Sequence, residues 1–415
     1  MNKRKFFILI IFVLLIFSIL TSNFVYAKPF SPKFNVRGIY VTGWVAGMPE
    51  RMNKLIELVD NSVLNSMVID IKDDVGYLSY NSEVPLANEI GANKSKIKDI
   101  KSLLALLDKH DIHTIGRIVV FKDEILASHK EEYSLTIKRP FSGSDFVKKY
   151  FNVNDLISLE SNDLNKSAKD YLKLNSEELK IENINKIYNE DYKIVKSSNW
   201  LDPDNRDVWK YNFQLAKEAF ELGFDEVQFD YIRYPSLRNG SSVFNKSHNE
   251  KIEVINKFVE TAYRELDSYN KKISIDIFGL VTSISNGMSI GQKFESLSKS
   301  ANIISPMVYP SHYSAGVFNL KNPETKPYQT VHYSMKDALK NTNSKVTLRP
   351  WLQDFSINHK YEAKDVIAQI KAVEELGISE WLLWNSSSRY TEEAIKHFKL
   401  KKNYEKNRYE LVPPY

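Results

Sequence analysis

Eight short runs of β-branched and other apolar residues recur along the chain, at Val36–Val41, Met67–Ile71, Thr114–Val119, Glu226–Asp230, Ile273–Ile277, Ile303–Val308, Val346–Arg349 and Glu380–Trp384. A polar loop and then a segment with apolar residues three and four apart follow most of them, which predicts strand–loop–helix repeats. Strands alternating with helices are buried on both faces and pair in parallel, so the chain must build an α/β fold. Eight such repeats predict a (β/α)8 TIM barrel. An open doubly wound sheet uses the same elements, but no G-x-G-x-x-G turn follows the first run, which counts against its nucleotide-binding form.

The predicted helices are Arg51–Val63, Ile97–His110, Arg206–Leu222, Glu250–Tyr269, Gln292–Ser300, Ser334–Asn341 and Ala363–Leu376. Gly223 and Gly377 follow two of them just before a strand, where a left-handed helix cap is needed. The spacing breaks once. More than 100 residues separate the third and fourth strands, and residues 122–199 are rich in Asn, Lys and Glu. They read as an insertion on the active-site rim or as a surface elaboration without a chemical role. Residues 401–415 read as a polar, peripheral tail.

The first 27 residues have the form of a secretory signal. Lys3, Arg4 and Lys5 precede the apolar run Phe6–Leu20, and Val25-Tyr26-Ala27 offers a cleavage site. The run is shorter than the roughly 20 residues of a membrane span. Cleaved, it releases the body outside the cytoplasm; uncleaved, it tethers the body to the membrane surface. Most of the formal charge of +5 belongs to this leader. The body is therefore nearly neutral, and nothing points to nucleic acid. The 415 residues contain no cysteine, which excludes disulfide scaffolds, thiolate metal sites and cysteine nucleophiles.

Barrel chemistry sits at the C-terminal ends of the strands. The acids there are Asp70, Asp73 and Asp74 after the second strand, Asp123 and Glu124 after the third, Asp230 ending the fourth, Asp276 on the fifth and Asp354 after the seventh. Glu226 and Glu380 begin their strands, so they belong to the opposite face and read as structural. Asp is a poor strand former. Alternation puts Asp230 on one face with Gln228, and Asp276 on one face with Ser274. Arg233 lies three residues beyond Asp230 and is a candidate to hold it ionised; the alternative is a structural pair closing a loop. Arg117, inside the third strand, is placed to fix a substrate or a carboxylate, or to form an interior salt bridge.

Two carboxylates on adjacent strands suit glycoside hydrolysis, in which one protonates the leaving oxygen and the other attacks or activates water. Their spacing decides between retention and inversion, and spacing is not legible in sequence. Candidate sugar-binding groups cluster past the strand ends: Trp44 after the first strand, Tyr309 and His312 after the sixth, Trp351 and Gln353 after the seventh, Trp384 and Asn385 after the eighth, with Asp70, Arg117, Gln228 and Arg233. Each aromatic taken singly also suits core packing. His110 and His113 precede the third strand and face the other way, and no metal-ligand spacing, G-x-S-x-G turn or P-loop is present. No cofactor is expected.

The run Asp225–Pro235 (DEVQFDYIRYP), with Trp200-Leu201-Asp202-Pro203, Asn205–Glu218, Val36–Val41, Ile303–Pro310 and Leu348–Phe355, resembles a family of secreted glycoside-hydrolase-like (β/α)8 barrels distantly similar to the α-amylase superfamily. The resemblance spans about residues 35–395. It implies a polysaccharide-acting enzyme with Asp230 as nucleophile, Asp276 as proton donor and Asp354 stabilising the transition state. Two positions depart from the amylase pattern: the donor position holds Asp rather than Glu, and Gln228 stands where amylases carry arginine. The expectation is therefore an extracytoplasmic glycoside hydrolase or transglycosidase. A catalytically silent glycan-binding barrel and a metal-dependent polysaccharide deacetylase are the alternatives.

Overall fold

The computed structural model describes residues 35–140, 192–237, 240–342, 345–403 and 408–412. The leader at 1–27 and most of the predicted insertion lie outside these residues. Eight parallel strands close on themselves: β1 (Arg37–Val41), β2 (Ser66–Lys72), β3 (His113–Val119), β4 (Glu226–Asp230), β5 (Lys272–Phe278), β6 (Ile303–Met307), β7 (Thr347–Leu348 and Trp351–Gln353) and β8 (Trp381–Trp384). Each pairs with the next in order, and β8 pairs with β1 to complete the barrel. The expected fold is the observed one. Among the described residues no helix is long and apolar enough to cross a membrane.

Period-two alternation divides each strand between two environments. Ile39 and Val41, Met67, Ile69 and Ile71, Val227 and Phe229, and Ile275 and Ile277 join the apolar core shared with the surrounding helices. Their neighbours turn inward and are largely polar. The helix Arg206–Leu222 starts on an Asn205 cap and ends on Gly223 at φ 119°, a conformation open to glycine but strained for other residues. Phe258 of the helix His248–Leu266 is fully buried among Phe121, Trp209, Phe213 and Phe229, with ring centroids 5.2–5.6 Å away. This cluster fastens β4, the strand that ends in Asp230, against two helices.

Several element boundaries differ from expectation, among them the helix predicted at Ser334–Asn341, which begins at Pro327. The seventh strand does not end at Arg349. It pauses at Arg349-Pro350 and resumes through Gln353, because the backbone beyond the proline recovers its ladder: Val308 N–H donates to the Trp351 carbonyl and Leu382 N–H to the Pro350 carbonyl, at 3.1 and 2.9 Å. The insertion contributes defined structure at both ends. The strand Ser134–Pro140 pairs antiparallel with Tyr192–Leu201 and with Ser242–Val243. At the other end of the chain, Lys399–Asn403 and Arg408–Val412 form a two-stranded sheet of their own.

The barrel interior at the N-terminal end holds an ion network. The fully buried Arg349 donates to Glu226 at 2.7 Å and to Glu380 at 2.8 Å, while Ser274 and His113 bond the same Glu226 at 2.5 and 3.2 Å. Burial resists ionisation of Glu226, but the Arg349 guanidinium, aided by His113 and Ser274, outweighs it and holds the carboxyl well below its ordinary range. Glu226 and Glu380 are thus structural, as their place at the strand starts implied. Removing one partner of such a network strands a buried charge at a cost of about 3–5 kcal/mol. Arg349→Ala is expected to lower the urea unfolding free energy by about that amount, and Glu380→Ala, whose partner keeps Glu226, by clearly less.

Candidate active site

Above that network, at the C-terminal strand ends, β1, β2, β3 and β4 each send one polar group inward. Arg117 of β3 joins them. Its Nε and Nη2 donate to Asp230 Oδ2 at 3.0 and 2.6 Å, and its Nη1 donates to Asp70 Oδ1 at 2.6 Å. The Tyr40 hydroxyl donates to the other oxygen of Asp70. The guanidinium lies 5.2 and 5.7 Å from the ring centres of Trp384 and Tyr40, which stack on one another at 3.9 Å. A planar cation gripped by two carboxylates and backed by two rings has little freedom to move. Burial alone would lower the Arg117 pKa, but Asp70 and Asp230 overcome it and raise it well above its usual value.

Asp230 is therefore held by arginine, but by Arg117 rather than by Arg233. Arg233 turns away from the carboxylate: its Nη1 donates to the Tyr234 carbonyl at 3.1 Å. The second oxygen of Asp230 accepts the Tyr231 N–H at 2.5 Å. Tyr231 has φ 53°, a left-handed conformation that costs a bulky residue about 1–2 kcal/mol. The sharp turn it makes leaves Asp230 at the strand tip with its carboxylate open to the barrel mouth.

Asp276 on β5 is 1% exposed and accepts a 2.8 Å bond from Trp351 Nε1. Burial, then the nearby charge of Asp230, push its pKa well above the ordinary carboxylate range, against the pull of Arg117 and the Trp351 bond. The same burial and the same two acids raise Tyr309. Neighbouring strands thus carry one carboxylate gripped by a guanidinium and one driven toward its protonated form. Gln228, one layer down, donates to Ser305 at 3.2 Å and closes the floor between this cluster and the Glu226 network.

A cavity of about 410 Å³ opens over these groups, walled by Asp230, Arg117, Arg233, Tyr309, His312 and Trp384 among others. All six were legible in the sequence. Tyr313, also past the sixth strand, joins the wall, the structure adds Tyr231 and Phe278, and Trp200, just beyond the insertion, stands 5.9 Å from Tyr231. Tyr40 also escaped the sequence reading, although its alternation with Gly38 pointed it inward. Trp200 and Tyr231 lie within the runs that carry the resemblance but were not singled out as site residues.

Several sequence candidates take other roles. Trp351 and Gln353 lie inside the extended seventh strand and are fully buried. Gln353 bonds the Ser311 N–H and the Phe355 carbonyl, fixing two loops. Asp354 does not reach the cavity wall. Both its oxygens accept from Thr391, at 2.6 and 2.8 Å, and its carbonyl accepts from Asn385 at 2.6 Å, so the two residues pin a loop. Trp44 stands on the surface, 58% exposed, under Lys96, and is not part of the cavity wall. Asp123 caps the helix Glu124–His129 and pairs with the buried Lys72 at 2.6 Å, and Asp73 closes its own turn. Among the described residues no group of three or more His, Cys, Asp or Glu is placed to hold a metal ion.

The fold is a closed (β/α)8 barrel whose cavity at the C-terminal strand ends is lined by Asp230, Arg117 and several aromatic residues. The chain belongs to the family described as "Putative glycosyl hydrolase domain", whose model matches residues 38–154 and 167–390. No curated protein matches the sequence. Among solved structures, a hypothetical protein from Ruminiclostridium thermocellum is 34% identical over 57% of this chain and 96% of its own, with a TM-score of 0.40. The glycoside hydrolase domain of PgaB (BpsB) from Bordetella bronchiseptica is 9% identical over 88% of this chain and 98% of its own, with a TM-score of 0.56. The second likeness is one of fold.

The raised pKa of Asp276 has a consequence for stability. A carboxyl raised in the native state disfavours folding once the unfolded chain can ionise it, from about pH 4 upward. Asp276→Asn keeps the acceptor for Trp351 and removes the ionisation. The variant should match the wild type in acid and become progressively the more stable of the two as pH rises. Thermal unfolding at a series of pH values measures the gap; a gap independent of pH refutes the assignment.

Proposed function

We propose that the protein is an extracytoplasmic glycoside hydrolase or transglycosidase that cleaves a polysaccharide, with Asp230 as the charged carboxylate and Asp276 as the proton donor. The observation that carries this reading is the contrast in surroundings of two acids on adjacent strands, Asp230 bonded to Arg117 and Asp276 buried against Trp351. Arg117 supplies a fixed counter-charge to Asp230, while burial and that neighbouring charge keep a proton on Asp276. Sets of titratable groups pushed apart by their surroundings mark an acid and its partner. Asp230 lines the cavity and meets the sugar as nucleophile or as base toward water. Aromatic faces at Tyr309 and Trp384 offer stacking surfaces for the sugar's C–H faces. The leader Met1–Ala27 supports a place outside the cytoplasm, free or tethered to the membrane, where cell-envelope or biofilm glycan is the available substrate.

The test is reducing-end release from a panel of bacterial and plant polysaccharides with EDTA present, using wild type, Asp230→Asn and Asp276→Asn, with circular dichroism to check folding. Release should persist in EDTA, which separates this chemistry from metal-dependent deacetylation. Asp230→Asn should abolish it. Asp276→Asn should lower kcat by about 10²–10⁴-fold, as loss of a general acid does, and should erase the alkaline limb of the pH–rate profile. A profile that keeps its alkaline limb in Asp276→Asn assigns the proton to another group. The near-complete burial of Asp276 favours one second reading, in which it serves only to anchor Trp351; unchanged kcat in the asparagine variant would establish that.

A further inference from the structure

The cavity wall contains a second arginine that the hydrolytic chemistry does not use. Arg233 is 9% exposed. Its guanidinium is surrounded by rings, 4.3 Å from the centre of Phe278, 4.8 Å from Trp200 and 5.0 Å from Tyr231. Among the described residues no carboxylate pairs with it. Nη1 is satisfied by the Tyr234 carbonyl. The opposite edge, Nε with Nη2, makes no hydrogen bond among the described residues, and neither nitrogen is sealed from solvent in the way that Nη2 of Arg349 is. That is the edge by which Arg117 grips Asp230.

A guanidinium withdrawn from water, with no carboxylate bonded to it and facing an open cavity, is an arrangement that an anion completes. The other cations nearby are committed: Arg117 to Asp70 and Asp230, Lys122 to Asp74. Burial lowers the Arg233 pKa from its usual value, and the nearby Tyr231 and Asp230 offset this only in part. The free edge presents two parallel N–H groups, the geometry that receives a carboxylate on both oxygens. The surrounding rings would accept the apolar face of the sugar that bears it.

We propose that Arg233 is the recognition site for a carboxylate-bearing sugar residue, so that the natural polysaccharide is acidic, with uronic-acid-type units. This rests on the glycan-acting reading above, and it is tested by binding without turnover, so that the two can fail separately. The probes are glucuronate, its neutral amide and glucose, titrated calorimetrically into the purified full-length protein at low ionic strength. Glucuronate should bind at least tenfold more tightly than the amide or glucose, and added salt should weaken only glucuronate. Arg233→Gln should abolish the preference, and Arg233→Lys should restore it in part. If the glutamine variant fails to fold, the comparison of acid with amide on the wild type still decides. Equal binding of glucuronate and its amide overturns the proposal. Inorganic sulfate displacing glucuronate at equal concentration also overturns it, since the site would then read charge and not a sugar carboxylate.

Discussion

The guanidinium of Arg117 is the group on which the upper half of the barrel depends. It reaches from β3 to carboxylates on both neighbouring strands, and two stacked rings from β1 and β8 bear against it. Without that cation, Asp70 and Asp230 would place two like charges in a space from which water is largely excluded. With it, both acids are bonded to one guanidinium at the mouth of the barrel. Burial first, and then the nearby Asp230, push the pKa of Asp276 up, against the direct pull of the same Arg117.

The interior is built as two polar storeys. The lower, with Glu226, Arg349, Glu380 and His113, is closed and compensated, and it joins β3, β4, β7 and β8. The upper carries Asp70, Asp230 and Asp276 and opens on a cavity lined by Asp230. Gln228 and Ser305 separate the two. This division follows from strand geometry: inward positions recur every second residue, so each strand offers one group to the floor and one to the mouth.

Much of this plan was legible in the chain. The alternation Glu226, Gln228, Asp230 on one strand and Ser274, Asp276 on the next identified the inward faces, and the repeat of strand and helix identified the barrel. Asp230, Arg117, Tyr309, His312, Trp384 and Arg233 were all recognisable as wall residues from their place at strand ends. Less visible was the depth at which each sits. The seventh strand, expected to end at Arg349, in fact resumes its ladder beyond Pro350, and this draws Trp351 and Gln353 into the interior. Asp354 and Asn385 looked available because they are polar and follow strands, yet they serve each other's loops and Thr391.

By itself the sequence determined the fold class, the two faces of the fourth and fifth strands and the set of acids at one end of the barrel, because these follow from periodicity and from residue type. Which arginine holds which acid was decided by the tertiary structure alone. Arg233 is three residues from Asp230 in the chain but turns to the Tyr234 carbonyl, while Arg117, 113 residues away, makes both bonds to it. The left-handed turn at Tyr231 carries the following residues away from the carboxylate, and barrel closure brings β3 alongside β4. Proximity along the chain yields to proximity across the sheet, since a side chain's partners are set by strand register and not by sequence distance.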